Sequence, residues 1–461
     1  MAATRDIDGF DGEVVIAGDP RYDEAREVWN AMHDKRPALI ANCETTADVV
    51  AAVRYAVAEG LTIAVRSGGH SLPGHSTVDD GIVIDLRGLN AIEVDPEAKR
   101  VRVGGGALLG ELDIATQEHG LVVPAGVVSH TGVAGLTLGG GVGRQMRRLG
   151  MTIDSLLGVE LVTATGEVVR ASADANPDLF WALRGGGGNF GIVTEFEFEA
   201  HAMGDLMILA TFNPIEEAPR VLALAEEVSA TAPDELLWTS FLRRAQPQVW
   251  LPDEWVGTLG VVSLIEWSGA DLEEGRRVLA EIAERVAAPV TSIEQVPFLM
   301  IQTAGDDLFG HGKRSYVKAG YLDALSPQAI ERLIEVASEV TSEFSQVEVL
   351  GVGGAIARVD ADATAFPHRD AAWLINIPAS WVEATEDERE IEWARRVYRA
   401  IEPLMTGGAY ANFMGDDEDD GAATAYGPTL ERLRRVKAEW DPDNVFRLNQ
   451  NIVPAGVEEV A

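Results

Sequence analysis

The stretch Val65-Arg66-Ser67-Gly68-Gly69-His70-Ser71 carries most of the information about this chain. It follows the apolar run at residues 61–65, which is typical of a short β-strand. Consecutive glycines let backbone N–H groups converge on an anion, and Arg66 and Ser67 add side-chain donors. We therefore predict an anion-binding loop at residues 66–71.

Two more glycine-rich loops follow along the chain. One reads Gly132-Val133-Ala134-Gly135-Leu136-Thr137-Leu138-Gly139-Gly140-Gly141-Val142-Gly143, and Arg144, Arg147 and Arg148 come after it. These arginines either offset a bound pyrophosphate or form a solvated helix face. The other, residues 184–191, contains a G-x-G-x-x-G pattern but follows a helical segment and enters a strand, the reverse of the Rossmann order. No Gly-Lys-Ser/Thr follows any loop, so a P-loop is excluded as well.

Composition narrows the class of protein. The chain has 461 residues, which favours two or three domains, and a net charge of -37, which repels nucleic acid. The acidity is typical either of a highly soluble protein or of one adapted to a salt-rich cytosol. The lone Cys43 excludes an intramolecular disulfide framework and a thiolate metal cluster, and no metal site is indicated. No apolar run suits a membrane span and the start lacks a signal-peptide pattern, so we expect a cytoplasmic protein.

The pattern of elements predicts an α+β fold. Short strands separated by glycine turns, helices at residues 46–59 and 108–119, and hairpins at residues 95–98 and 164–167 mark the first part. Later the glycines thin out and longer elements predict an antiparallel sheet covered by helices on one face. Its predicted strands are 256–267, 315–321, 347–358 and 373–378, and its predicted helices are 216–231, 272–287, 327–344 and 386–405. We expect domains at residues 1–204, 205–405 and 406–461, the last packing back on the first.

At these residues the chain resembles the FAD-linked oxidase family with a p-cresol methylhydroxylase or vanillyl-alcohol oxidase type FAD domain. Within that family it is similar to the berberine bridge enzyme-like group. The resemblance is carried by four segments in the same order along the chain: Arg66-Ser67-Gly68-Gly69-His70, the loop at 132–143, residues 181–194, and the C-terminal run from Tyr410-Ala411-Asn412-Phe413 to Asn449-Gln450-Asn451-Ile452. It implies a two-part FAD-binding domain followed by a substrate domain.

The resemblance also implies that His70 bonds through a ring nitrogen to the 8α-methyl of FAD. Many relatives carry a second link through a cysteine, whose position falls here at Val128, so a single link is expected, as in the 6-hydroxynicotine oxidase branch. The residues expected to bind the cofactor are Arg66, Ser67, Gly68, Gly69, His70, Ser71, Gly132, Gly135, Gly139, Gly140, Gly141, Gly143, Gly191, Ile192, Val193 and Asn449.

The implied reaction is oxidation of a C–H next to O or N of a small alcohol, sugar or cyclic amine, with hydride transfer to flavin N5. Tyr410 is the leading candidate for the base, because Phe413 replaces a second tyrosine of the family pattern. A phenol needs a cationic neighbour or hydrogen bonds for this role. Weaker candidates for contact with the substrate or flavin are His130, His311, Tyr316, His368 and Arg369.

Two other functions stay open at this point. The chain could be a flavin-binding protein with little turnover, as Phe413 and Val128 suggest, or a nicotinamide-linked dehydrogenase. The electron acceptor is O2 or another oxidant, and polar Thr131 lies near the position that governs oxygen reactivity in the family. The acidic run at residues 416–420 is expected to be a solvated loop.

Overall fold

The computed structural model describes residues 6–415 and 421–457 and confirms the α+β class. The N-terminal part contains two sheets that share no strand. The first has the order β1-β2-β4-β3, from β1 (Glu13–Ile16), β2 (Leu39–Asn42), β3 (Ile63–Arg66) and β4 (Ile82–Asp85). The second has the order β5-β6-β10-β8-β9, from β5 (Ile92–Asp95), β6 (Arg100–Gly104), β8 (Leu156–Val162), β9 (Val168–Ser172) and β10 (Ile192–Glu199). Two short strands, β7 (Leu121–Val122) and β11 (His201–Ala202), pair beside it.

The helix that packs on the first sheet shows how local sequence determines where an element begins and ends. The helix Thr46–Glu59 has the predicted bounds, since a capping box between Thr45 and Asp48 starts it and left-handed Gly60 ends it. Its buried face includes Val49 and Val53, which pack on the sheet. β3 pairs in parallel with β4 and then delivers the chain into the glycine loop of His70.

A third sheet of seven antiparallel strands forms the substrate-side half of the molecule. Its order is β15-β12-β14-β13-β17-β18-β16, from β12 (Leu206–Pro214), β13 (Leu236–Arg244), β14 (Leu259–Trp267), β15 (Val290–Val296), β16 (Arg314–Leu322), β17 (Val347–Gly351) and β18 (Trp373–Trp381). One face is covered by the helices Ala218–Ser229, Leu272–Val286, Pro327–Ala337 and Asp387–Ile401. Since side chains alternate along a strand, the opposite face is left to line the site.

Several predicted elements differ from the structure. The strand predicted at 347–358 ends at Gly351, because Gly353 and Gly354 take positive φ angles and a short helix, Ala355–Arg358, follows. The helix predicted at 327–344 ends at Ala337. β12, β13 and β15 were not predicted at all.

The remaining helices lie mostly around the second sheet and in the C-terminal segment. They are Tyr22–Ala25, Leu109–Gln117, Val133–Leu138, Met146–Leu149, Pro177–Leu183, Phe298–Gln302, Gly421–Tyr426 and Leu430–Trp440. Leu430–Trp440 contacts Pro177–Leu183, and Lys437 donates to the carbonyl of Asn189, so the C-terminal segment lies against the third glycine loop. In the described ranges no helix has the length and apolar character of a membrane span. The domain boundaries at residues 204 and 405 stay a prediction.

Candidate active site

A cavity of about 410 Å³ lies where the three glycine loops, the third sheet and the C-terminal segment meet. Most of the predicted site residues line it. These are Ser67, Gly68, Gly69, His70, Ser71, Gly132, Gly135, Gly139, Gly191, Ile192, Val193, Tyr410 and Asn449. The sequence therefore located the walls of one cavity from segments that lie up to several hundred residues apart.

The first two glycine loops touch backbone to backbone on this wall. A Cβ atom on Gly68 would overlap the backbone nitrogen of Gly132, and a Cβ on Gly132 would overlap that of Gly68. Gly69 adds a left-handed φ of +71°. Glycine is needed here for close approach, which brings main chain rather than side chains to the cavity.

Gly140, Gly141 and Gly143 do not line the cavity, contrary to expectation. Gly140 and Gly141 have positive φ angles, and the Gly141 N–H donates to the Tyr410 hydroxyl at 2.8 Å. A Cβ on Gly143 would overlap the carbonyl oxygen of Ala125. These glycines shape the turn behind the wall.

Arg66 was expected to add a donor for an anion, and its side chain does not. It is 2% exposed, and its Nη2 atom lies 2.6 Å from Oδ2 of Asp85. A second guanidinium nitrogen donates to the carbonyl of Glu27 at 3.2 Å. The guanidinium is thus neutralised inside the fold, where it fixes the end of β3 and the start of the loop.

The arginines after the second loop also point away from the cavity. Arg144 forms a buried ion pair with Glu266 of β14, and Arg147 and Arg148 donate to the carbonyls of Val352 and Ser268. They join the loop to the third sheet, so both predicted roles, on a pyrophosphate and on a solvated helix face, are wrong. Among the described lining residues there is no lysine or arginine.

His70 is held between aromatic rings. Its Nε2 lies 2.6 Å from Nδ1 of His130, and Trp29 stacks on it with ring centroids 4.8 Å apart and an interplanar angle of 18°. His311 approaches edge-on at 5.8 Å, so the three imidazoles form one cluster. Burial, reinforced by His130 and His311, lowers the pKa of His70 to about 2. The ring is therefore neutral, as a nucleophile must be.

Three buried side-chain polar atoms on the cavity wall have no hydrogen-bond partner within the described part of the chain. They are Ser67 Oγ, Asn449 Oδ1 and Asn376 Oδ1. Buried polar groups are rarely left unsatisfied, so each indicates a group that binds there. These unpaired polar atoms, the open glycine loops and the neutral His70 fit a flavin dinucleotide.

Glu348 is a site residue that the sequence reasoning missed. It lies on β17 on the sheet wall of the cavity, 7% exposed, and accepts hydrogen bonds from Asn376 at 2.8 Å and from Gln346. Arg243 donates to Gln346 at 3.0 Å and extends the network. Burial raises the pKa of Glu348, while these hydrogen bonds and Arg243 oppose the rise. The detectable signal was one acid within an otherwise apolar strand, residues 347–351.

Tyr410 lines the cavity in an environment that opposes its predicted role as base. Burial raises its pKa to about 12, although its hydroxyl accepts bonds from Gly141 N and from Asn412 Nδ2 at 2.9 Å. No cation faces it within the described residues that line the cavity. Tyr410 is a neutral phenol that packs edge-on against Phe413 at 4.9 Å.

The weaker candidates for contact with the substrate or the flavin lie in different parts of the structure. His130 and His311 join the His70 cluster, whereas Tyr316 lies on the helix-covered face of the third sheet. His368 packs on Tyr321, and Arg369 pairs with Asp154 at 2.8 Å, which anchors a loop.

Three further residues that the sequence singled out have clear positions. Val128 and Thr131 line the cavity. Cys43 is buried, which raises the pKa of its thiol. The acidic run at 416–420 lies outside the described residues.

Known proteins share this architecture. Residues 37–172 match the FAD binding domain family, and residues 409–453 match the berberine and berberine-like family. (R)-6-hydroxynicotine oxidase of Paenarthrobacter nicotinovorans is 33% identical over 457 residues, which cover 96% of this chain and 97% of that protein. An FAD-linked oxidoreductase of Dictyostelium discoideum is 30% identical over 97% of this chain and 96% of its own length. The crystal structure of 6-hydroxy-D-nicotine oxidase from Arthrobacter nicotinovorans superposes with a TM-score of 0.84 at 29% identity, over 96% of this chain and 98% of that one.

Proposed function

The chain belongs to the FAD-linked oxidoreductases of the berberine bridge enzyme-like group, and from this premise we propose a specific reaction for its site. The substrate is a small alcohol, sugar or cyclic amine, oxidised at a C–H next to O or N. Glu348 takes the O–H or N–H proton. The observation that carries the proposal is a buried carboxylate on the sheet wall of the same cavity whose loop wall holds His70.

When bound, FAD accepts two electrons as a hydride from the substrate carbon. His70 would hold it by one covalent bond, since Val128 offers no thiol for a second. Ser67 Oγ and Asn449 Oδ1, which have no partner among the described residues, would form hydrogen bonds with polar groups of the FAD. With no lysine or arginine on the described lining, backbone donors of the glycine loops would meet the pyrophosphate.

Glu348 suits the role of base better than Tyr410. Burial raises the pKa of the Glu348 carboxyl, which makes its carboxylate a stronger base, whereas a phenol with a pKa of about 12 is protonated near pH 7. Asn376 donates to Oε2 of Glu348 at 2.8 Å and Gln346 donates to Oε1, so the carboxylate is held in a fixed orientation. Glu348 is also the lone ionisable carboxylate among the described lining residues, which disfavours anionic substrates.

The proposal is tested with anaerobic flavin reduction. A panel of alcohols, sugars and cyclic amines is mixed with the protein, and bleaching of the oxidised flavin is followed. At least one compound should bleach it, and Glu348→Gln should slow that reduction about 10²–10⁴-fold with unchanged FAD content. Glu383→Gln, at an exposed carboxylate, is the matched control. No bleaching by any compound would favour a flavin-binding protein with little turnover.

Acid precipitation tests the attachment separately. Colour should stay in the pellet of the native protein and pass to the supernatant for His70→Ala. Comparing reoxidation by air with reoxidation by a dye then identifies the electron acceptor. A colourless protein that binds NAD or NADP would support the nicotinamide alternative instead. The cytoplasmic location stays a prediction.

A further inference from the structure

The hydrogen bond between His70 and His130 ties up one ring nitrogen of His70 and leaves the other free. His70 Nε2 and His130 Nδ1 are 2.6 Å apart, so one of them donates and the other accepts. If Nε2 of His70 carries the proton, its Nδ1 has the free lone pair. Stacking of Trp29 at 18° holds the ring in that plane, and Trp29 itself is fixed by a 2.6 Å bond from its Nε1 to the carbonyl of Phe309.

Behind His130 lies a carboxylate from a different part of the chain. Asp306 accepts from the backbone N–H of Ser129 at 2.9 Å and from the Ser129 hydroxyl at 2.5 Å. Its charge favours the protonated form of His130, although burial and Lys313 lower the pKa of that ring. His70 on the cavity wall is therefore bonded to His130, which Asp306 in turn influences electrostatically.

We infer that His130 is the positioning residue for covalent flavin attachment: it selects Nδ1 of His70 as the bonding atom and receives the proton from Nε2. The inference rests on the proposed covalent link. With FAD bound, its 8α-methyl carbon would release one proton to solvent, the Nδ1 lone pair of His70 would form the N–C bond, and the electron pair of the broken C–H bond would pass to the flavin ring. His70 would pass its Nε2 proton to His130 Nδ1. Dioxygen would then take up the two electrons and the two released protons and leave as hydrogen peroxide.

The test measures attachment rather than turnover. Purified protein is incubated with added FAD in air, samples are acid-precipitated at intervals, and flavin in the pellet is quantified by absorbance and by the mass of the flavin-carrying peptide. His130→Ala should attach FAD about 100-fold more slowly than wild type, in line with loss of a proton acceptor. His119→Ala, at an exposed histidine, is the matched control and should keep the wild-type rate.

The pH dependence of the attachment rate distinguishes proton transfer to His130 from a purely structural role of its side chain. The groups that face His130 are His70, His311, Lys313 and Asp306. Because its pKa is lowered, neutral His130 persists to acidic pH, so the wild-type attachment rate should fall only below pH about 6.5. His130→Asn keeps an acceptor for Nε2–H but cannot take the proton, and its slow rate should not change with pH. An Asn variant with the wild-type rate and profile would overturn the inference.

A metal held by the three histidines is the competing explanation, since their ligand atoms lie within 4.8 Å of one another. Under our inference, EDTA leaves the attachment rate unchanged. Loss of attachment with EDTA would overturn it. If the wild-type pellet is colourless, the covalent link itself fails. If the wild-type pellet is coloured and His130→Ala attaches FAD at the wild-type rate, the covalent link stands and only the proposed role of His130 is refuted.

Discussion

Replacing Lys437 by methionine should destabilise the protein by about 3–5 kcal/mol, the usual cost of breaking a buried ion pair from one side. The ammonium is fully buried and donates to three acceptors: Asp441 Oδ2 at 2.6 Å, Asn189 O at 2.7 Å and Phe446 O at 2.9 Å. Methionine fills similar space and removes all three bonds. Asp441 would keep only backbone donors, from Val445 at 2.8 Å and Phe446 at 2.9 Å.

The effect should reach the cofactor site because Asn189 belongs to the third glycine loop. Its side chain accepts from the Ile452 N–H at 2.9 Å, so Lys437 and Asn189 together join that loop to the C-terminal segment. We expect faster release of flavin from a His70→Ala background when Lys437→Met is added. Flavin fluorescence reports this release directly.

The assay is urea unfolding followed by circular dichroism at pH 7. Arg435→Met, an exposed cation on the same helix, is the control and should change the free energy of unfolding by less than about 0.5 kcal/mol. The double variant Lys437→Met/Asp441→Asn should be less destabilised than Lys437→Met, since it leaves no buried unpaired charge. A loss below about 1 kcal/mol for Lys437→Met would refute the reasoning.

Three further outcomes are expected. Burial raises the pKa of Asp113, 2% exposed, from its ordinary 3.8 to about 7. The folded state therefore holds that proton more tightly, and the free energy of unfolding should fall as pH rises from about 4 to 7, by roughly 4 kcal/mol at most. Urea titrations at pH 5 and 8 should show less of this fall in Asp113→Asn, and an equal fall would contradict the assignment. Val128→Cys, on the cavity wall, should allow a second flavin bond, detected as a flavin peptide with two attachment sites; its absence would count against the predicted alignment. The melting temperature should rise from 0.1 to 1 M KCl, because salt screens the repulsion in a chain of net charge -37, and a flat response would argue against salt adaptation.

The sequence predicted the parts of the site that depend on local backbone geometry. The loop of His70 and the loop from Gly132 line one cavity, as their glycines indicated. The helix Thr46–Glu59 was correct because its signals, the Thr45 cap and Gly60, are local. These features can be predicted from the sequence because one or two neighbouring residues determine each of them.

The sequence did not predict which distant partner a charged side chain would find. Arg144 meets Glu266 across 122 residues, so its proposed place on a phosphate could not be tested without the fold. Glu348 was missed for the same reason, since only the third sheet places it on the cavity wall. Tyr410 lies where expected, but burial, which no motif reports, sets its pKa near 12.

The wide spread of the cavity-lining residues along the chain bears on how the protein matures in a cell. The cavity needs residues from Trp29 to Gln450, so nearly the whole chain must leave the ribosome before the site exists. Flavin capture is then a late event that follows assembly of the parts. A chain truncated before the C-terminal segment should be made without colour, and coloured protein reports that synthesis and folding were completed.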